Sequence, residues 1–422
     1  MIDLKFLRDF PDRVRKALLD KGIKLDLDRV LLLDLQYREM ERELIAIREE
    51  RNQLTAEIKT EGGAPNPEQL KRGREIAATL AEQKKAVFEC RKQLDELLLK
   101  LPGIPHGEVP CGLTDEDNRE LYRRGQFRPP EDTPLDHLEL GRIHGLFDLD
   151  GAVNVAGTRA YALKGYGALL ENAVLRLAYD MVYKKGFQPL QVPVMVRHHA
   201  MEGTGYFPFG EDNAYRLERD NLYLTGTAEV GMLAMQANRC FEMEQLPLRL
   251  FGLTTCFRRE AGAAGRDTRG LYRVHQFQKV EQVIICDADP SKTERLHQEL
   301  LENAELILEA LELPYRVVEC CTGELGLGQV RKFDIETWMP GRNAFGETHS
   351  CSNFLEFQAR RLNIKYVNGQ GEKRFVHTLN NTAIATPRIL IALLENHQKE
   401  GGAIYIPKAL RPYLDGLEEL EA

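Results

Sequence analysis

Two long stretches of heptad-like spacing near the N-terminus constrain the fold of this chain more than any other feature. The first stretch places its spaced residues at Leu33, Tyr37, Met40, Leu44, Ile47, Arg51, Leu54 and Ile58. The second places them at Ile76, Leu80, Gln83, Val87, Cys90, Leu94, Leu97 and Leu101. The steps alternate between four and three residues, which averages the period of a coiled coil. Both stretches are therefore predicted to form long helices.

The segment between the two stretches must interrupt the helix. It runs from Thr60 to Glu68 and contains two glycines and two prolines, which are poor residues for a helix interior. Two helices joined by a short breaker predict an antiparallel hairpin, with a reach of roughly 45 Å for each arm. The heptads stop at the Pro- and Gly-rich segment from Leu101 to Gly112, which is predicted to be a linker.

The charge of the chain leaves two interpretations of this hairpin open. Lysine and arginine number 57 against 65 acidic residues, a formal charge of −8, so composition shows no basic footprint for nucleic acid. The arm could be a structural coiled coil with a solvated surface. It could instead be a rigid probe that contacts a phosphate backbone. Basic candidates near the turn are Arg48, Arg51, Lys59, Lys71, Arg72 and Arg74.

Several other classes of protein are not expected. The sequence contains no apolar stretch long enough for a transmembrane helix, and its first residues lack the apolar core of a secretory signal. The eight cysteines are scattered and form no C-x-x-C pair, which favours reduced thiols over disulfides or a zinc site. A cytoplasmic protein without membrane contact is expected.

From Asp132 on, helical and strand patterns mix in blocks. Helices are predicted at Gly167–Lys185 and Pro290–Leu313, and strands at Leu246–Arg258 and Tyr272–Cys286. Because the blocks lack regular βαβ alternation, an α+β fold with an antiparallel sheet is predicted. Neither a GxGxxG nor a GxxxxGK[ST] motif is present, which disfavours a Rossmann or P-loop nucleotide site.

Charged residues interrupt the apolar strand patterns of this second region. Even spacing puts Arg273, Phe277 and Glu281 on one face of a predicted strand. Further candidates are Arg258, Glu260, Glu347, Ser350 and Arg388. Each of them alone could belong to an exposed face. Together they indicate a polar ligand, since arginine matches phosphate and carboxylate geometry and phenylalanine can stack a base.

These residues carry a resemblance that covers essentially the whole chain. The sequence resembles the bacterial-type seryl-tRNA synthetases, a family of class II aminoacyl-tRNA synthetases. The matching strings are MIDLKFLRDFPDRVRKAL, GFQPLQVPVM around Pro193 (motif 1), LTGTAEV, FRREAGAAGRDTRGLYRVHQFQKVE (motif 2), THSCSNFLEFQARRLNIKY and VHTLNNTAIATPRILIALLENHQ (motif 3). The resemblance implies a class II catalytic domain, an antiparallel sheet flanked by helices, at residues 111–422. It also implies a tRNA-binding helical arm at residues 1–110.

The resemblance implies an ATP site with a role for each matching position. Arg258 would contact the reacting carboxylate and the α-phosphate. Phe277 would stack on the adenine opposite Arg388. Glu260 and the backbone of Val274 would bind the adenine amino group, and Arg273 would hold the triphosphate in a bent form. Glu347 and Ser350 would bind a Mg²⁺ ion.

A serine pocket is implied in the same way. Its residues would be Thr227, Glu229, Arg258, Glu281, Asn380 and Thr382. Glu281 and Thr382 would meet the substrate hydroxyl, and Arg258, Glu281 and Arg388 would be the catalytic residues. Thr227 and Asn380 could alternatively be turn residues, since both types are common in turns.

The implied activity is that of a serine–tRNA ligase. Serine and ATP would form seryl-adenylate, and the seryl group would pass to tRNA(Ser), and also to tRNA(Sec), on a homodimeric enzyme. Two other functions stay open: a relative that loads an amino acid onto a carrier protein, and an inactive coiled-coil interaction protein. The former would lack the arm and use a cysteine-bearing zinc site, and the latter would have lost some of the site residues.

Overall fold

The computed structural model describes residues 1–62, 64–127, 134–262 and 270–422. Contacts within the chain divide it into two compact units. One comprises Ile2–Leu19 and Ile23–Leu101, and the other comprises Met1, Asp20–Gly22 and Pro102–Ala422.

The smaller unit is helical. Its described helices are α1 (Leu4–Asp9), α2 (Pro11–Asp20), α3 (Leu27–Thr60) and α4 (Pro67–Leu98). The predicted breaker falls between α3 and α4, where the Asn66 side chain accepts from the Gln69 backbone amide and the Gln69 side chain caps in return. Pro67 occupies the first turn of α4, where no backbone donor is needed. The predicted helical hairpin is confirmed.

Apolar side chains at some of the heptad positions pack between the two helices of the hairpin. Leu44, Leu54, Ile76 and Leu80 form a buried cluster between α3 and α4. Polar contacts tie the two helices at their flanks, including a hydrogen bond from Gln83 Nε2 to Glu43 Oε2 of 2.6 Å. The six basic candidates near the turn are all exposed. The surface of the arm therefore offers cations to solvent, while its seam is apolar.

The larger unit combines the remaining described helices with several sheets. The helices are α5 (His137–Ile143), α6 (Leu149–Ala156), α7 (Tyr166–Lys184), α8 (His198–Thr204), α9 (Ala228–Ala234), α10 (Pro290–Ala310), α11 (Phe357–Leu362) and α12 (Arg388–Asn396). The strands are β1 (Arg119–Arg124), β2 (Gln188–Pro189), β3 (Met195–Arg197), β4 (Tyr215–Leu217), β5 (Leu222–Leu224), β6 (Cys240–Glu242), β7 (Leu248–Phe257), β8 (Gln276–Cys286), β9 (Tyr315–Glu319), β10 (Arg331–Met339), β11 (Ala344–Leu355), β12 (Lys365–Val367), β13 (Lys373–Phe375), β14 (His377–Thr386), β15 (Ile404–Tyr405) and β16 (Glu419–Leu420).

An eight-stranded sheet forms the centre of this unit, in the order β1-β9-β10-β11-β14-β8-β7-β2. Neighbouring strands pair antiparallel from β1 to β7, and β2 joins the β7 edge in parallel. Smaller described sheets have the orders β3-β5-β4, β13-β12-β6 and β15-β16. The predicted α+β class with an antiparallel sheet is confirmed.

Helices cover one face of the central sheet. Apolar residues of α7, α10 and α12 form one core with the alternate residues Val280 and Ile284 of β8. On the same face the amide of Asn303 in α10 donates to Gln282 at 2.8 Å. Because side chains alternate along a strand, Phe277 and Glu281 point to the opposite face, and that face carries the pocket.

The predicted second strand begins later than expected. Its residues 272–275 lie outside the sheet, because β8 starts at Gln276. Arg273 therefore reaches the pocket from the loop before β8, not from the strand face that period-two spacing indicated. Within the described residues, no helix combines the length and apolarity needed to cross a membrane.

Candidate active site

A pocket of about 490 Å³ opens on the face of the sheet opposite α7, α10 and α12. It is bounded by strands β8, β11 and β14, by the chain after β7, and by the first residue of α12. The predicted site residues that line it are Glu229, Arg258, Glu260, Arg273, Val274, Phe277, Glu281, Glu347, Ser350, Asn380, Thr382 and Arg388.

Thr227 is the predicted site residue that is not part of the lining. It is almost fully buried, and its hydroxyl accepts from the Glu229 amide at 3.3 Å as the N-cap of α9. A Thr-x-Glu string suits a helix start as well as a binding site, so the sequence could not separate the two roles. Asn380, by contrast, lies inside β14 and not in a turn.

One end of the pocket is buried and acidic. Glu229 is 3% exposed and Glu281 is 2% exposed. Lys279 shares the face of β8 with Glu281, and its ammonium lies 2.5 Å from Glu281 Oε2. Thr382 is opposite Glu281 in the register of β14 and β8 and donates to the same oxygen at 3.4 Å. This end therefore offers carboxylate and hydroxyl oxygens to a small polar ligand.

The charges of this end act on each other. Burial and then the charge of Glu281 raise the pKa of Glu229 to about 7, although a 2.6 Å hydrogen bond from Gln358 lowers it. Tyr206 also lines the pocket, and burial, followed by the charge of Glu229, raises its pKa well above the ordinary value. Tyr206 therefore remains a neutral hydroxyl at physiological pH.

Arg258 stands between the two ends of the pocket. It follows β7 directly, and its guanidinium lies over the Phe277 ring, 5.2 Å from the centroid. Its backbone is fixed by a bond from its amide to His275 O of 2.9 Å. The side chain is open to the pocket. It presents a cation where the buried acidic end meets an aromatic wall.

The opposite end of the pocket is open and rich in arginine. Arg388, the first residue of α12, stacks over Tyr272 at 4.3 Å from the ring centroid. Its guanidinium donates to Tyr272 O at 3.1 Å and to Glu347 O at 2.6 Å. Planar cations held in this way suit a phosphate or the face of a base.

Glu260 and Arg273 form an ion pair at this end. Arg273 Nη1 lies 2.8 Å from Glu260 Oε2. Glu260 has a positive φ of 54°, a conformation that non-glycine residues seldom adopt and that is often found at functional sites. Binding a ligand between the two side chains requires them to part.

Two β-bulges aim residues into the pocket. Ile335 and Glu336 of β10 are opposite His349 and Glu347 of β11, which leaves Thr348 as an extra residue. Glu347 and Ser350 therefore both reach the pocket although their odd spacing would put them on opposite faces of a regular strand. In β14 the register shifts in the same way at Ala383, between Thr382 and Ile384.

His349 joins the two bulges. Its Nε2 lies 3.1 Å from Ala383 O, and its Nδ1 lies 2.8 Å from Thr348 Oγ1. Burial lowers the pKa of His349 to about 4, so the ring is neutral at physiological pH. Because a carbonyl oxygen only accepts, Nε2 carries the proton, and Nδ1 accepts from the Thr348 hydroxyl.

The residues predicted for Mg²⁺ suit a hard cation. Glu347 supplies a carboxylate that is half exposed, and Ser350 supplies a hydroxyl on the same side of β11. Mg²⁺ prefers oxygen ligands and commonly takes one or two from the protein when it binds with a phosphate ligand. Among the described residues there is no group of three or more His, Cys, Asp or Glu that could hold a metal by itself.

Sequence reasoning missed several residues that line the pocket. Lys279 lies midway between Phe277 and Glu281, so the even spacing that selected those two would also have selected it. Tyr206 and Tyr272 lie in loops, where no periodicity marks them. Tyr272 is notable because Arg342 stacks on it at 4.0 Å in addition to Arg388.

Comparison with known proteins accounts for both units. Residues 1–105 match the seryl-tRNA synthetase N-terminal domain, and residues 215–397 match the tRNA synthetase class II core domain of the G, H, P, S and T type. A serine–tRNA ligase of Deinococcus radiodurans is 43% identical over 420 residues, covering 100% of this chain and 99% of the relative. The chain belongs to the seryl-tRNA synthetase family.

Solved structures agree with this family and with its fold. The crystal structure of seryl-tRNA synthetase from Pyrococcus horikoshii complexed with ATP has a TM-score of 0.92 and 39% identity, with 99% of both chains covered. Cytoplasmic serine–tRNA ligase from Naegleria fowleri in complex with AMP has a TM-score of 0.89 and 29% identity, covering 100% of this chain and 99% of the other. The predicted class II catalytic fold with a helical arm is thereby confirmed.

Proposed function

We propose that this chain charges tRNA(Ser) with L-serine in two steps. Ligase activity follows from the family. In the first step a serine carboxylate oxygen attacks the α-phosphorus of ATP, and the bond to the leaving pyrophosphate breaks. In the second step the 3′-terminal hydroxyl of the tRNA attacks the acyl carbon of seryl-adenylate, and AMP leaves. The cytoplasm as the site of action, and tRNA(Sec) as a second substrate, are part of the same proposal.

The position of Arg258 carries this proposal. Its electrostatic neighbours include Tyr206 at the buried acidic end, and Glu347 and Glu260 at the open end. A guanidinium there can hold a carboxylate and an α-phosphate together, the two groups that must react. Such a fixed cation also stabilises the negative charge that grows around a five-coordinate phosphorus. Arg258 is therefore assigned as the central catalytic residue.

The buried acidic end is proposed to bind serine. Glu229 can accept from the substrate ammonium, and Glu281 with Thr382 can take the substrate hydroxyl. Asn380 lines the same end. A pocket built around a hydroxyl rejects alanine strongly, because its own buried polar groups would lose their partner. Thr227 would act here through its cap on α9.

The open end is proposed to bind ATP. Phe277 and Arg388 would enclose the adenine from two sides, with Glu260 and the Val274 backbone at its edge. Arg273 would hold the triphosphate once it leaves Glu260. Glu347 and Ser350 would hold the Mg²⁺ that neutralises phosphate charge when ATP is bound.

The arm and a second subunit complete the proposal. The exposed basic residues around the hairpin turn support recognition of the tRNA backbone by shape and charge. Homodimer formation is supported by large apolar side chains exposed on the unit that contains the catalytic fold. Among them are Leu169 at 51%, Tyr183 at 60%, Met195 at 54% and Leu253 at 37%. They lie on α7, β3 and β7, and Met195 is the last residue of the motif 1 string.

The test is serine-dependent ATP–pyrophosphate exchange by Arg258→Ala. The variant should lose roughly 10²- to 10³-fold in kcat while its fold survives, because a preorganised cation is lost from the transition state. Arg249→Ala is the matched control: Arg249 lies on β7, the strand that Arg258 follows, it bonds Glu299 at 2.7 and 2.8 Å, and it is absent from the pocket lining. Near-native exchange by folded Arg258→Ala would overturn the assignment. Exchange with another amino acid and not with serine would overturn the proposed substrate.

A further inference from the structure

The buried end of the pocket contains two carboxylates, and their negative charge requires a cation nearby to offset it. Glu229 and Glu281 are both almost fully buried, and they repel each other because they carry the same charge. Burying like charges together is costly unless a cation offsets them. Lys279, itself 5% exposed, is the cation in ion-pair contact with Glu281.

Lys279 differs from Arg258 in where it points. Under the proposed function Arg258 faces the substrate carboxylate and the phosphate. The ammonium of Lys279 instead meets Glu281 Oε2, the oxygen that also accepts from Thr382. The lysine and the threonine thus hold Glu281 through one carboxylate oxygen, while its side chain lines the pocket.

We propose that Lys279 is a positioning residue for the amino-acid end of the pocket, one that fixes Glu281 for the substrate hydroxyl and offsets one of the two carboxylate charges. A single net negative charge then remains for the substrate ammonium. The inference rests on the proposed function, because it takes serine as the ligand of this end. In this arrangement the charges of the two glutamates, Lys279 and Arg258 together complement the ammonium and the carboxylate of zwitterionic serine.

The electrostatics of Glu229 support this arrangement. Burial, followed by the charge of Glu281, raises the pKa of Glu229 to about 7, and the charge of Lys279 is among the influences that lower it. The titratable and charged groups that act on this end from β7, β8, α9 and the loop after α8 are Arg258, Cys256, Lys279, Glu281, Glu229 and Tyr206. Lys279 and Arg258 are the cations of this set.

The test is the pH dependence of kcat/KM for serine in Lys279→Met. An ionised Glu229 is needed to bind the substrate ammonium, so kcat/KM should rise with pH through the pKa of Glu229. Removing the lysine charge should move that midpoint upward by about one pH unit, with a loss of roughly tenfold at pH values below it. Exchange measured from about pH 5.5 to about pH 9 would locate the midpoint. A merely structural lysine would lower kcat/KM at all pH values and leave the midpoint unchanged.

Two further variants separate charge from shape. Lys279→Arg retains the charge and should keep the native midpoint. Lys292→Met removes a lysine that pairs with Asp287 outside the pocket lining, and it should leave the whole profile unchanged. A native midpoint in folded Lys279→Met, or a shifted one in Lys292→Met, would overturn the inference.

Glu281→Gln gives an answer even if Lys279→Met does not fold. Neutralising Glu281 removes a charge that raises the pKa of Glu229 and leaves the one that lowers it. The pH midpoint for serine binding, measured by titration calorimetry, should therefore move downward. A midpoint that stays or rises contradicts the inference. Failure of the native protein to bind or activate serine would instead overturn the proposed function.

Discussion

Removing the Glu281 side chain tests both the stability and the selectivity of the proposed serine site. Glu281 is 2% exposed and its partner Lys279 is 5% exposed, so Glu281→Ala leaves an ammonium buried without its counter-charge. Breaking one half of a buried pair costs roughly 3–5 kcal/mol of folding free energy. The variant should therefore unfold at a lower urea concentration than the native protein.

Glu281→Ala should also lower the preference for serine over alanine, by an amount that is independent of the loss of stability. A hydrogen bond to a charged group contributes about 1.5–3 kcal/mol, which corresponds to roughly 10- to 150-fold in kcat/KM. Under the proposed function, Glu281 makes this interaction with the hydroxyl of serine, and alanine cannot make it. In Glu281→Ala the ratio of kcat/KM for serine to that for alanine should fall by about that factor. Pyrophosphate exchange with each amino acid in turn measures the ratio.

A double variant separates the two effects. Replacing both partners, as in Lys279→Met with Glu281→Ala, removes the buried ammonium and should recover part of the lost stability without restoring selectivity. Glu281→Gln keeps an acceptor oxygen and should retain more selectivity than Glu281→Ala. An unchanged serine-to-alanine ratio in a folded Glu281→Ala protein would refute the role of Glu281, whatever its stability.

Two other predictions concern the placement of Arg258 and the arm. Gly226→Ala would put a methyl group 3.3 Å from Cγ and Nε of Arg258, so kcat for exchange should fall about tenfold, at an almost unchanged melting temperature, through a small displacement of the guanidinium. Native kcat in this variant would contradict the proposed placement. Replacing residues 44–82 with a short glycine linker between Glu43 and Gln83, which pair across the hairpin, should spare exchange and weaken tRNA binding, because the basic turn is lost. Native tRNA affinity with its native salt dependence would contradict the role of the arm.

Helices and strands were predictable where the chain follows a fixed period over many residues. The α3–α4 hairpin follows from heptads, and Phe277 and Glu281 share a face because β8 is regular between them. Arg273 was predicted to lie on a strand that begins at Tyr272, but the observed strand β8 begins three residues after Arg273, at Gln276. It reaches the pocket because the loop before β8 turns inward, which no local pattern specifies. The roles of the site residues remain predictions that the experiments above test.

The pocket itself depends on positions where the strand period is broken. Glu347 and Ser350 share a side only because Thr348 is an extra residue in β11, and the shift at Ala383 has the same origin in β14. His349, a residue without a predicted role, links the two bulges through Thr348 Oγ1 and Ala383 O. Since burial lowers its pKa to about 4, the His349 ring is neutral at physiological pH. A regular strand would have aimed one of the two magnesium candidates at the helices, so the proposed site depends on the bulge in β11 as well as on the two side chains.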